Sequence, residues 1–178
     1  MNICAIDQSF THTAINIFDL NSEEVIYSTV IKTLNKDKKT KKEYPIELRI
    51  KFILEELSKV LEKFDCQFVF LEGLSFNNRN STSARNLAGL YYAMLLLFLD
   101  KQIEYYSFPP TSVKAFALKG NSSKEEMYDR LPDNVKELFS ELNVKKTTGL
   151  LDLTDSYYIG KLGIKKVKEE LIKEIEEL

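Results

Sequence analysis

Histidine occurs once in this chain and cysteine twice, so the residues of a Cys/His zinc site are missing and His12 stands alone. Cys4 and Cys66 lie in or beside runs that read as buried strands. That marks them as reduced core residues of a cytosolic protein and not as a disulfide framework. The longest apolar stretch, residues 87–99, is broken by Gly89 and is too short to cross a bilayer. No basic segment precedes the first apolar run, so no signal peptide is visible. There is no internal repeat and no linker, and 178 residues suit one domain with a substantial core. Arginine is scarce, 4 against 21 lysines, and asparagine is frequent; this suggests an A·T-rich genome, as in a bacteriophage or a low-G·C bacterium.

The net charge of −2 gives no general excess for holding a polyanion, but the charge is segregated. Residues 32–51, 73–90 and 107–124 carry +5, +2 and +3, which leaves −12 on the other 122 residues. Local basic patches of this kind supply phosphate contacts and steering even on an acidic chain. The first window contains the run KDKKTKK at 36–42, a solvated loop whose Lys38, Lys39, Lys41 and Lys42 are candidates for facing DNA. Lys114, Lys119 and Lys124 make up the third. Arg79 and Arg85 flank an Asn/Ser/Thr-rich loop that suits phosphate contact, and each reads equally as ordinary surface.

Four acids end apolar elements. Asp7 follows Ile3-Cys4-Ala5-Ile6, and Glu72 follows Phe68-Val69-Phe70-Leu71. Asp152 and Asp155 stand three apart at the start of a helical stretch and so share one face of its first turn. Alone, Asp7 is equally a turn former, and Asp152 reads as an N-cap with Asp155 favoured by the helix dipole. Together they form an oxygen-only set suited to Mg²⁺ or Mn²⁺, and paired ions of this kind serve phosphodiester cleavage.

Strands are expected at 2–7, 13–19 and 24–31, then a helix at 46–64, whose apolar residues recur with helical period from Ile46 to Phe64. A strand at 67–72, a polar loop at 73–81 and an almost uniformly apolar helix at 82–100 follow; such a helix lies in the core or in a subunit contact. A strand at 103–108 stops at Pro109-Pro110. Short helices are expected at 113–118 and from Lys124, and a last helix from near Leu150. Beyond Gly163 its stripe Ile164, Val167, Leu171, Ile175, Leu178 needs a surface to pack on. Residues 1–163 therefore read as one domain and 164–178 as a helical extension packed on it. Three strands, helix, strand, helix, strand, helix is the order of a ribonuclease H-like α/β fold, a mixed five-stranded sheet flanked by helices. Its first and fourth strands are neighbours, which sets Asp7 against Glu72.

Four segments resemble the RuvC family of Holliday-junction resolvases. ICAIDQS is similar to the family's first strand and aspartate, with Gln8-Ser9 in place of the usual Pro-Gly. FVFLEGLSF is similar to its second carboxylate and loop aromatic, and PPTSVKAFALKGNSSK to its V-K…G…K stretch. DLTDSYYIG is similar to its D-x-x-D-A-x-x-x-A ending. The resemblance runs from residue 2 to about 163. It implies that Asp7, Glu72, Asp152 and Asp155 hold two Mg²⁺ ions, with Mn²⁺ as a substitute. It places Lys114 and Lys124 near the scissile phosphate, one residue closer together than in the family. Phe76 falls, offset by one residue, where the family places an aromatic that stacks at the crossover; the alternative is a loop anchor in the core.

These features lead to a metal-dependent endonuclease for four-way or branched DNA, leaving 5′-phosphate and 3′-hydroxyl ends. Symmetric cutting requires a homodimer, for which the 82–100 helix is the expected interface. Two rivals remain. An RNA-processing or non-catalytic branched-nucleic-acid-binding relative would share the fold. An actin-like ATPase would need a glycine that DQSFT lacks and a second lobe to enclose the nucleotide.

Overall fold

The computed structural model describes residues 1–74 and 81–176. Its sheet has the order β3-β2-β1-β4-β5, formed by β1 (Asn2–Asp7), β2 (His12–Asp19), β3 (Val25–Lys32), β4 (Cys66–Glu72) and β5 (Glu104–Phe108). β1, β2 and β3 form an antiparallel meander, and β4 and β5 add in parallel to β1. Parallel neighbours need crossovers: α1 (Ile46–Lys63) leads into β4, and α2 (Thr82–Asp100) links β4 to β5.

Alternation along the strands feeds two cores. Cys4, Ile6, Ile15 and Ile17 face α1 and α2, where Ile53, Leu57, Leu61, Met94 and Phe98 are buried. Ile3, Ala5, Ala14, Phe18 and Phe70 face the opposite layer. That layer holds α3 (Pro110–Ala117), α4 (Lys124–Asp129), α5 (Asp133–Glu141) and α6 (Leu150–Glu176), with the short 3₁₀ turn Lys146–Thr148 before α6. Cys4 and Cys66 are both buried and free.

Most boundaries fall within a residue of expectation. α3 begins at Pro110, earlier than expected, because proline is well suited to the first helical turn. α5 is an addition; its signal, Val135, Leu138, Phe139 and Leu142 at helical spacing after Pro132, was there to be read. α6 runs unbroken past Gly163, with Ile164 and Val167 buried in the core and Leu171 and Ile172 exposed. Among the described residues no helix is long and apolar enough to cross a membrane.

Candidate active site

β1, β4, α4 and α6 bring their ends to one place. Asp7 is the last residue of β1 and Glu72 the last of β4, and a register that pairs Ile6 with Leu71 sets them at adjacent strand ends. Asp152 and Asp155 lie at the start of α6. The helix is already running at Leu150, so Asp152 is a first-turn residue and not the N-cap. Gly149 precedes it at φ 119°, where a Cβ would also press on Val30. Carboxylate oxygens of Asp7, Asp152 and Asp155 all lie within 4.8 Å of one another. Glu72 is outside that span but feels the charge of Asp155.

Lys124 stands among these acids. Its Nζ is 2.5 Å from Asp155 Oδ2, 2.8 Å from Asp152 Oδ1 and 3.5 Å from Asp7 Oδ2. A capping box holds the turn that presents it: Ser123 Oγ accepts from the Glu126 N–H, and the Glu126 carboxylate accepts from the Ser123 N–H. A cation at a helix start is mildly disfavoured by the helix dipole, and here three carboxylates outweigh that.

Burial is the main cause of the shifted acidities. It pushes Asp7 well above the usual carboxylate range; Lys124 opposes the shift, and Asp155, Glu72 and Asp152 add to it. Burial, together with the charge of Asp155, lifts Glu72 to about 7 against the pull of Lys124 and Lys114. Asp155 is raised by burial too, with Lys124 pulling it down. Burial alone would lower Lys124, but Asp7 and Asp155 lead the charges that raise it instead. One ammonium does not balance these carboxyl groups, which are close together, largely out of water and resist ionising without a further countercharge. That donor set fits a hard divalent cation.

Gln8 was not among the expected residues. Its Nε2 donates to the Glu72 carbonyl at 2.6 Å, tying the two strand ends together, while its Oε1 is buried without a donor among the described residues. The signal was its presence where the family pattern carries proline.

The other candidates lie around this centre. Lys114, half-buried on α3, is near enough to lower both Glu72 and Asp155. Lys119 is exposed beyond α3, and Arg85 is exposed in the first turns of α2. Lys38, Lys39, Lys41 and Lys42 are exposed in a small loop organised by Asp37, whose carboxylate accepts from the Lys39 and Thr40 N–H groups. That loop leaves the sheet at Lys32, opposite His12, at the same end of the sheet as Asp7. Phe76 and Arg79 lie outside the described residues.

A sheet of this order, with carboxylates at the ends of β1 and β4 and on the closing helix, defines the class: a ribonuclease H-like nuclease. The Thermus thermophilus RuvC structure shares the fold, with a TM-score of 0.64 and 21% identity over 90% of this chain and 91% of that one. The T. thermophilus RuvC structure in complex with a Holliday junction substrate gives 0.65 at 21% identity, over 90% of each chain. RuvC of Thermotoga petrophila, a crossover junction endodeoxyribonuclease, is 27% identical over 135 residues, 74% of this chain and 76% of that protein. The family described as crossover junction endodeoxyribonuclease RuvC matches residues 3–155. The chain belongs to the RuvC family.

Proposed function

We propose that this protein is a crossover junction endodeoxyribonuclease that cuts Holliday junctions and related branched DNA at the Asp7–Glu72–Asp152–Asp155 centre. The observation that carries this reading is the convergence of three buried or half-buried aspartates on one lysine where the central strand β1 ends. The four carboxylates would hold two Mg²⁺ ions, with Mn²⁺ as a substitute. When bound, such ions supply an activated water and stabilise the leaving 3′ oxygen. Lys114 and Lys124 offset charge that develops on the phosphate. Arg79, Arg85, Lys119 and the lysines of the 36–42 run hold the DNA backbone. Phe76 replaces stacking lost at the crossover.

The active form is read as a homodimer, because opposing strands must be cut at a fixed separation. α2 supports this: it buries Leu90, Met94 and Phe98 and leaves Tyr92, Leu96 and Leu99 exposed at 59%, 62% and 59%. Residues 164–178 are read as an extension of the same nuclease domain, and the protein as one acting in the cytoplasm of a bacterium or a phage-infected host.

A panel of labelled four-way, branched and linear DNAs with Mg²⁺ or EDTA tests the function. Paired nicks in four-way DNA only with the cation are expected, from a species sedimenting at about twice 20.6 kDa. Cleavage of linear duplex at the same rate, or an unaltered rate in EDTA, would remove this reading.

The basic loop has its own test. Lys36, Lys38, Lys39, Lys41 and Lys42 changed together to Gln should weaken binding to all branched DNAs alike. The slope of log affinity against log salt should become shallower by about 0.9 for each lost phosphate contact. Equal slopes for parent and variant would mean that the run is merely solvated.

A further inference from the structure

Two positions where this chain departs from the family pattern, Ser156 and Gly160, both face the sheet from α6. Ser156 is fully buried, and its hydroxyl donates to the Ala5 carbonyl at 2.9 Å. Ala5 lies opposite Asn16 in the β1–β2 register, and Asn16 opposite Ser28 in β2–β3, so the three form one row across the meander. Asn16 is fully buried as well. Its Nδ2 donates to the Leu153 carbonyl at 2.9 Å and to Ser156 Oγ at 3.2 Å, while its Oδ1 accepts from Ser28 Oγ at 2.5 Å.

Three ends of this network lie within two residues of an acid of the site, and the fourth, Ser28, lies on β3. Leu153 follows Asp152, Ser156 follows Asp155, and Ala5 is two residues before Asp7. The helix is seated against the sheet at two further points on the same side: a Cβ on Gly160 would overlap the Phe18 ring, and one on Gly163 the Phe70 ring. Steric contact at these glycines sets how closely α6 approaches the sheet. Contact between apolar surfaces does not by itself fix rotation or sliding, because dispersion is non-directional. Hydrogen bonds with defined donors and acceptors do fix them.

We infer that Asn16 and Ser156 are positioning residues: a buried hydrogen-bonded pair that sets the register of α6 on β1 and β2, and thereby the spacing of Asp152 and Asp155 from Asp7. Ser28 orients the Asn16 amide so that its NH₂ faces the helix. The inference rests on the proposed metal-dependent reading of the acidic centre. Residues that orient ligands without touching the ion typically change metal affinity or activity ~10–100-fold.

The test is Mn²⁺ binding to DNA-free protein, followed by electron paramagnetic resonance, together with thermal stability and junction-cleavage kinetics. The variants are Ser156→Ala, Asn16→Leu, Ser28→Ala and the Ser156→Ala/Asn16→Leu double. Ser156→Ala restores the family-pattern residue and should fold even if Asn16→Leu does not. Ser156→Ala and Asn16→Leu should each bind Mn²⁺ ~10-fold more weakly and lose kcat by a similar factor, with KM for the junction unchanged. Ser28→Ala should do less, and the double should be little worse than the poorer single, because one pair is being broken. Variants that melt earlier yet keep the parent's Mn²⁺ affinity and kcat would reduce the network to core stability and overturn the inference. If Asp155→Asn binds Mn²⁺ as tightly as the parent does, the metal reading falls and this inference falls with it.

Discussion

Asp7→Asn, Glu72→Gln or Asp155→Asn should each lower junction cleavage by ~10²–10³-fold, because each removes a charged ligand from a centre asked to supply several kcal/mol of charge stabilisation. The amides keep shape and hydrogen-bonding capacity, so the loss comes from charge alone. Folding should survive. All three acids are raised by burial, so their charged forms are held against a desolvation penalty that the amides do not carry. Junction binding should persist and even tighten, since one carboxylate fewer faces the phosphates. The measurements are single-turnover cleavage, binding in Ca²⁺ or EDTA, and melting temperature. Near-parental turnover for Glu72→Gln would take Glu72 out of the site.

Lys124→Met should act in the opposite sense on metal and stability. The ammonium is the countercharge for Asp7, Asp152 and Asp155, and its side chain is 39% exposed, so solvent screens part of its effect. Breaking a fully buried pair costs about 3–5 kcal/mol; at this exposure ~2 kcal/mol is a reasonable expectation. The sign with pH follows from Asp7, Glu72 and Asp155. Their pKa values are raised in the folded state, so folded protein binds protons that the unfolded chain releases. The stability this confers is present in full below the unfolded carboxylate range and is lost as pH rises through the folded values, about 7 for Glu72. Without Lys124 that loss deepens. The variant's deficit should be small near pH ~5 and largest above neutrality, where more of the carboxylates are charged. Divalent cation should restore stability and bind more tightly than in the parent, because no ammonium competes, while cleavage falls. A variant as stable as the parent at high pH, binding Ca²⁺ no more tightly, would show that Lys124 is not the countercharge.

Much of this was legible along the chain. Strand alternation and helical period located β1 to β5, α1, α2 and α6 because each is long enough to bury a full face, and a face imposes its period on the sequence. The order of those elements put β1 beside β4, and hence Asp7 beside Glu72. The short α5 was less visible because nine residues give barely two turns of pattern. Asp152 was ambiguous for a different reason. One residue at a helix start can cap or coordinate, and only its position relative to Leu150 decides between them.

By itself, then, the sequence determined the elements, their order, the four acids at element ends and the segregated lysines, because local periodicity and polarity are written residue by residue. What only the tertiary structure decided was how these parts meet. It placed Lys124 among three aspartates, tied Gln8 to the end of β4 and wired Asn16 to Ser156 across 140 residues of chain. Such contacts depend on side-chain direction and on the register of packed elements, and no local pattern carries them. A buried asparagine reads as a flaw in a strand until the helix carbonyl that it meets is known.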